Sequence, residues 1–140
     1  FQDHARLPFS VAAIIPPGKR AVGVRVNEVV GLAGFVTPGM RVDVVAMGHS
    51  PSGRQTEGSL SKTILQSIEV ISAGQQIQKD AEGKPVQVQV VNLLVTPDQA
   101  EVLALASNDA RIQLVLRNPL DDEQVKTKGT ALSRLFVDPN

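Results

Sequence analysis

Cysteine, tryptophan and tyrosine are all missing from this 140-residue chain, and phenylalanine occurs only four times. Without cysteine no disulfide can form, and a zinc site would have to be built from His and carboxylates alone. Without Trp or Tyr there is little on which to stack nucleotide bases, and sugar rings would find few such faces either. Charge of one sign is lacking too: 14 Lys and Arg balance 14 Asp and Glu. That removes the basic footprint of a nucleic-acid binder. No apolar run approaches the ~18–20 residues that span a bilayer, so the chain as it stands is expected to be soluble. It begins with Phe1 rather than Met, and so reads as a processed product or an excised piece.

Valine is abundant instead, with 20 occurrences. Its branched Cβ favours the pleated, half-buried surface of a sheet. The expected class is a β-dominated α+β domain, a mostly antiparallel sheet or small barrel-like β domain with one main helix over about 97–108. A chain of this length buries roughly two-thirds of the surface it exposes when unfolded, enough for one domain without a staple. Val22, Val24 and Val26 alternate with polar or small residues, predicting a strand over 20–29 after the Pro16-Pro17-Gly18 turn. A Thr37-Pro38-Gly39 turn precedes a second strand over 41–47. Residues 63–73 predict a third, and loss of alternation at Gln66-Ser67 suggests a bulge or two abutting short strands. Lys79 to Pro85 reads as a hairpin loop. The following Val86-Gln87-Val88-Gln89-Val90 alternates before turning wholly apolar, as a strand does when it runs from edge to centre.

Thr96-Pro97-Asp98-Gln99 carries a helix start: a capping hydroxyl, proline at the first position, and Gln placed to complete a capping box. Ala100, Val102, Leu103, Leu105 and Ala106 predict a broad apolar stripe, with Asn108 as a left-handed stop. A strand over 111–117 ends at Asn118-Pro119. The domain is expected over 11–120, with 1–10 a linker or remnant of an upstream module. Residues 121–140 are read as a C-terminal tail: 121–130 is polar, and 131–137 is an apolar segment that docks on its own domain or awaits a partner.

No catalytic, cofactor-binding or metal-ligating set emerges. His4 and His49 are isolated and read as surface histidines. There is no Gly-x-Ser-x-Gly elbow or P-loop, and Gly31 and Gly34 lack dinucleotide-binding spacing. Asp43, inside a strand, is the acid that stands out. It reads as a partner of Arg41, Arg20 or Arg25, or as an acceptor at the Gly39 turn, rather than as a general base. Arg111 and Arg117 read as solvated strand flanks. A hydrolase built on dispersed carboxylates is disfavoured.

The ordered strings carry more than periodicity does. Ile14 to Val22, Val24 to Val36 and Pro38 to Val44 come first, followed by Thr63 to Ile71, Leu94 to Glu101 and Leu114 to Pro119. Together they resemble the Flp pilus assembly protein family known as RcpC or CpaB. The resemblance implies a component of the Tad apparatus, which assembles type IVb Flp pili. It further implies a full-length protein anchored in the inner membrane, carrying a SAF module ahead of this region, and acting in the periplasm beside the outer-membrane secretin. In this chain the SAF module would then be missing or reduced to a remnant at 1–10. No catalytic residue and no cofactor come with the resemblance. The expected role is a scaffold or adaptor binding Tad proteins, with homo-oligomers as one possible state and no nucleic acid involved. Candidate contact regions are Gly31, Leu32, Gly34 and Phe35, the 48–59 loop, and Leu135 with Phe136. The alternative is a SAF-type polysaccharide or peptidoglycan module.

Overall fold

Two turns spelled out by the sequence launch the first two strands. Gly18 and Gly39 take φ of 86° and 93°. Each follows a proline and closes a four-residue turn in which the Lys19 N–H reaches the Pro16 carbonyl at 3.1 Å and the Met40 N–H reaches that of Thr37 at 3.2 Å. The computed structural model describes residues 14–26, 36–49 and 58–135. Strands β1 (Arg20–Val26), β2 (Arg41–His49), β3 (Ser59–Lys79) and β4 (Pro85–Val95) are followed by helix α1 (Pro97–Asp109). Then come β5 (Arg111–Arg117), the short β6 (Thr130–Ala131) and a 3-10 turn over Leu132–Arg134. The sheet runs β1-β4-β3-β2-β5, every pair is antiparallel, and β6 is added against β3. It is open, so the barrel-like option falls away and the antiparallel sheet with one helix stands. The first strand ends at Val26, and residues 27–29 lie outside the described residues.

Strand β3 organises the sheet. Its first half pairs with β2, from His49 opposite Ser59 to Arg41 opposite Glu69. Its second half pairs with β4, from Leu94 opposite Glu69 to Pro85 opposite Lys79. At about 3.3 Å per residue, a straight strand of 21 residues would reach about 70 Å. Register shifts at Val42/Val44 and Val70/Ser72 bracket the handover at Glu69. Bulges add local twist, so the two halves of one strand serve two neighbours without an overlong sheet. The irregularity at Gln66-Ser67 is thus a bulge within one continuous strand. Where β3 meets β4, Asp80 closes the hairpin, its carboxylate accepting the Glu82 and Lys84 N–H groups at 2.9 and 2.8 Å. Strand β4 is exposed over its first three residues and buried or half-buried from Val88 onward, as its composition predicts.

The core is aliphatic. Val24, Val42, Val44, Val70, Val91, Leu93 and Val95 are buried on the inner face, and Leu103 closes them over from α1. All four Phe lie outside the described residues. Helix α1 joins β4 to β5 and touches β1, β4 and β5. Its capping box forms: the Gln99 N–H donates to Thr96 Oγ1 at 3.2 Å, and the Thr96 N–H to Gln99 Oε1 at 2.9 Å. Two expectations are corrected. The helix runs to Asp109 and is closed by Ala110 in extended conformation, not by a left-handed Asn108. The apolar stripe is also narrower, because only one line of the helix meets the strands. Leu103 is fully buried, Ala100 packs against the core, and Val102 and Leu105 face outward.

Leu103→Ala should therefore cost about 2–5 kcal/mol in urea unfolding with an unchanged m value. Leu105→Ala, on the outward face, should stay within about 0.5 kcal/mol.

Candidate functional site

On the outer face, the bulge in β3 leaves one backbone unit without a ladder partner. Val42 pairs with Ile68 and Val44 with Leu65, so Asp43 stands opposite both Gln66 and Ser67. Ser67 takes φ of 55°, uncommon for a residue with a side chain. Its polar groups are recovered by β2: the Ser67 N–H donates to Asp43 Oδ1 at 2.9 Å, and Arg41 Nη1 donates to the Ser67 carbonyl at 2.9 Å. From the far side β5 brings Arg117, whose Nη1 meets Asp43 Oδ1 at 2.9 Å. Asp43 does pair with an arginine across the sheet, but it is Arg117 and not Arg41, Arg20 or Arg25. The backbone amide it accepts comes from the bulge, not from the Gly39 turn.

Arg117 is no solvated flank. Its side chain is 8% exposed, and all five guanidinium N–H groups have acceptors. Besides Asp43, Nη1 reaches Gln66 Oε1 at 3.4 Å, Nε donates to the Asp121 carbonyl at 2.9 Å, and Nη2 serves Asp121 Oδ1 at 3.0 Å and the Glu123 carbonyl. Three of these contacts lie in the segment that follows Pro119. That polar segment is held as a strap across the outer face. Gln66 accepts the Val125 N–H at 2.8 Å and donates to the Val125 carbonyl at 2.5 Å, pairing with its backbone as a strand would. Lys62 donates to the Thr127 carbonyl. Thr130 and Ala131 then pair with Ser61 and Leu60, and Ala131 is buried. Gly129 sits at the crossing with φ of 76°, where a Cβ would lie 2.9 Å from the Ser61 carbonyl oxygen.

The electrostatics hold the strap against the sheet. The Glu123 N–H and the Arg117 guanidinium keep the Asp121 carboxyl below its ordinary value, while bonds to Asp43 and then Asp121 hold Arg117 above its own. Both stay charged at neutral pH, and no buried side-chain polar atom among the described residues lacks a partner. Nor, among the described residues, do three His, Asp or Glu converge as a metal-ligand group.

Two hollows flank the strap. A groove of about 590 Å³ at the end of the sheet is lined by Met47, Leu60, Ala110, Ala131, Leu132 and Leu135 among others. His49 also lines it. A smaller polar hollow of about 310 Å³ lies between Lys19, Arg41, Glu69 and Gln99. Of the contact residues named from sequence, Leu135 is exposed at the groove, whereas Gly31, Leu32, Gly34, Phe35 and Phe136 lie outside the described residues, as do 50–57 of the loop. Sequence reasoning missed the Asp43–Gln66–Arg117–Asp121 cluster. Its local traces are Asp43 inside a strand and the loss of alternation at Gln66-Ser67; nothing local points to Arg117 as the partner.

Three of the strings that carry the sequence resemblance meet at this cluster, through Arg41 and Asp43, through Gln66 and Ser67, and through Arg117. A family model described as Flp pilus assembly protein RcpC/CpaB matches residues 10–117. The chain belongs to the RcpC/CpaB family of Flp pilus assembly proteins. No curated protein and no solved structure matches it. The family match ends at Arg117, so this RcpC/CpaB chain carries most of its cluster inside the matched region and its strap outside.

Because the Asp121 value is lowered in the folded chain, its contribution to holding the strap is complete above the ordinary Asp value of about 3.9 and is lost as pH falls through the lower folded value. Protection of the Val125 amide against hydrogen exchange should fall on acidification below about pH 4, and Asp121→Asn should flatten that dependence. Asp43→Ala should lower the urea midpoint more than Asp43→Asn, which keeps an acceptor oxygen for the Ser67 amide.

Proposed function

We propose that this domain is a non-enzymatic scaffold or adaptor in the assembly of Flp (type IVb) pili by the Tad apparatus, working in the periplasm near the outer-membrane secretin. Family membership over residues 10–117 is the observation that carries the reading, because it ties the chain to Flp pilus assembly. The outer face supports a binding role. Arg117 and Asp121 hold each other ionised and hydrogen-bonded, an arrangement that supports presentation of a surface.

Contact with other Tad components would then rest on shape and apolar area. Among the exposed apolar residues, Leu135 beside the groove and the outward Val102 and Leu105 of α1 are suited to it. Gly31, Leu32, Gly34, Phe35 and Phe136 remain proposed contacts. No described helix is long and apolar enough to cross a membrane, and anchorage in the inner membrane belongs to the full-length protein in this reading. The peptidoglycan-binding alternative finds no Phe, Tyr or Trp among the described residues on which a sugar could stack.

Crosslinking in piliated cells, read by mass spectrometry of the linked peptides, should join this domain to Tad proteins, with links at the groove reduced by Leu135→Asp. Normal piliation after deletion, together with no link to any Tad component, would overturn the proposal. Retention on peptidoglycan would favour the alternative.

A further inference from the structure

The strap is bound as a ligand is bound. Between Asp121 and Ala131 it is held by side chains reaching its backbone, by one carboxylate on Arg117, and by a two-residue ladder. It adds little to the core: Ala131 is its only buried side chain, while Leu120 is 92% and Val125 is 53% exposed. Ordering a residue costs about as much as one net hydrogen bond returns. A segment so held is detachable without unfolding the sheet.

The hinge is equally light. Asn118 closes an exposed turn by accepting the Leu120 N–H on its side chain and the Asp121 N–H on its carbonyl, each at 2.9 Å. Pro119 biases Asn118 toward extended backbone, the conformation an opened hinge needs. Opening the turn loses those two bonds and frees Asp121 from Arg117, and leaves the pairing of the five long strands in place.

We infer that the surface made by Leu60, Ser61, Lys62, Gln66 and Arg117 is an interface between copies of this chain, accepting the 121–131 strap of a second copy in place of its own. The second copy's strap fits by identity, since each contact within one chain is reproduced between two. Exchange of an identical element is a low-cost route to association. The formal charge of zero leaves no net repulsion between copies. The tethered strap competes at an effective concentration on the order of millimolar, so exchange belongs to crowded or assembled chains and not to dilute ones. The surface is defined by contacts within the chain, whichever machine the protein serves, so failure of exchange would leave the pilus-assembly reading intact.

The absence of cysteine makes the test clean. Ser61 and Thr130 are direct cross-strand partners, and neither is buried. Two singly substituted chains, Ser61→Cys and Thr130→Cys, are refolded together from urea at millimolar concentration and oxidised. Peptides linking the two introduced thiols should exceed, about five-fold or more, those from a control pairing of Thr130→Cys with Lys84→Cys at the hairpin tip. Yields equal to the control overturn the proposal. Without any introduced thiol, light scattering of the unaltered chain after concentrated refolding should show dimers, and Gly129→Val, which forces the strap off Ser61, should abolish them while circular dichroism keeps its strand signal. Monomers alone at every concentration overturn it as well. So does capture of the Ser61→Cys chain in cells by a different protein with no link to the Thr130→Cys chain, which would give the surface to a foreign strand.

Discussion

The guanidinium of Arg117 is the constraint on which the outer face depends. An arginine does not shed its charge, so one withdrawn from water must find acceptors for five N–H groups within the protein. Asp43 and Gln66 supply two from the sheet, and Asp121 and Glu123 supply the rest from beyond the last long strand. The same side chain therefore joins β2, β3 and β5 and decides where the chain goes after Pro119. Asp43 is shared between this cation and the Ser67 amide, so the bulge in β3 and the ion pair stabilise each other.

That bulge has consequences for the whole sheet. By twisting β3 beside the point where it passes from β2 to β4, it lets a 21-residue strand hold both halves of the domain together. The inner face is then covered by branched aliphatic side chains and closed by Leu103. The outer face around Arg117 is organised by polar contacts. The division of labour is physical: the inner face stabilises the domain by apolar burial, while the outer face holds the strap by hydrogen bonds and an ion pair.

Much of the fold is legible in the amino-acid sequence. Val22, Val24 and Val26 alternate as a one-sided strand must, Pro17-Gly18 and Pro38-Gly39 spell their turns, and Thr96 with Gln99 announces the helix. These signals act within a few residues, where backbone sterics and local hydrogen bonds dominate. The depth of the helix was misread because five apolar residues can form a stripe without a surface to cover it. From sequence Asp43 reads as a partner of Arg41, Arg20 or Arg25; it is an ion-pair partner, but of Arg117. Arg20 and Arg25 lie on β1, separated from β2 by β4 and β3, whereas Arg117 lies on the adjacent strand β5.

The sequence by itself determined the class, the turns, the helix start and, through six ordered strings, the family. Each is encoded in neighbouring residues or in their order. Only the tertiary structure decided what Arg117 holds and where residues 121–131 lie. Composition reads that segment as polar and, up to Thr130, without a buried face, which is correct. Yet a segment can be held by its backbone as well as by its side chains, and the groups that hold it come from Arg117, Gln66 and Lys62, residues far apart in sequence and brought together only by the strand order of the sheet.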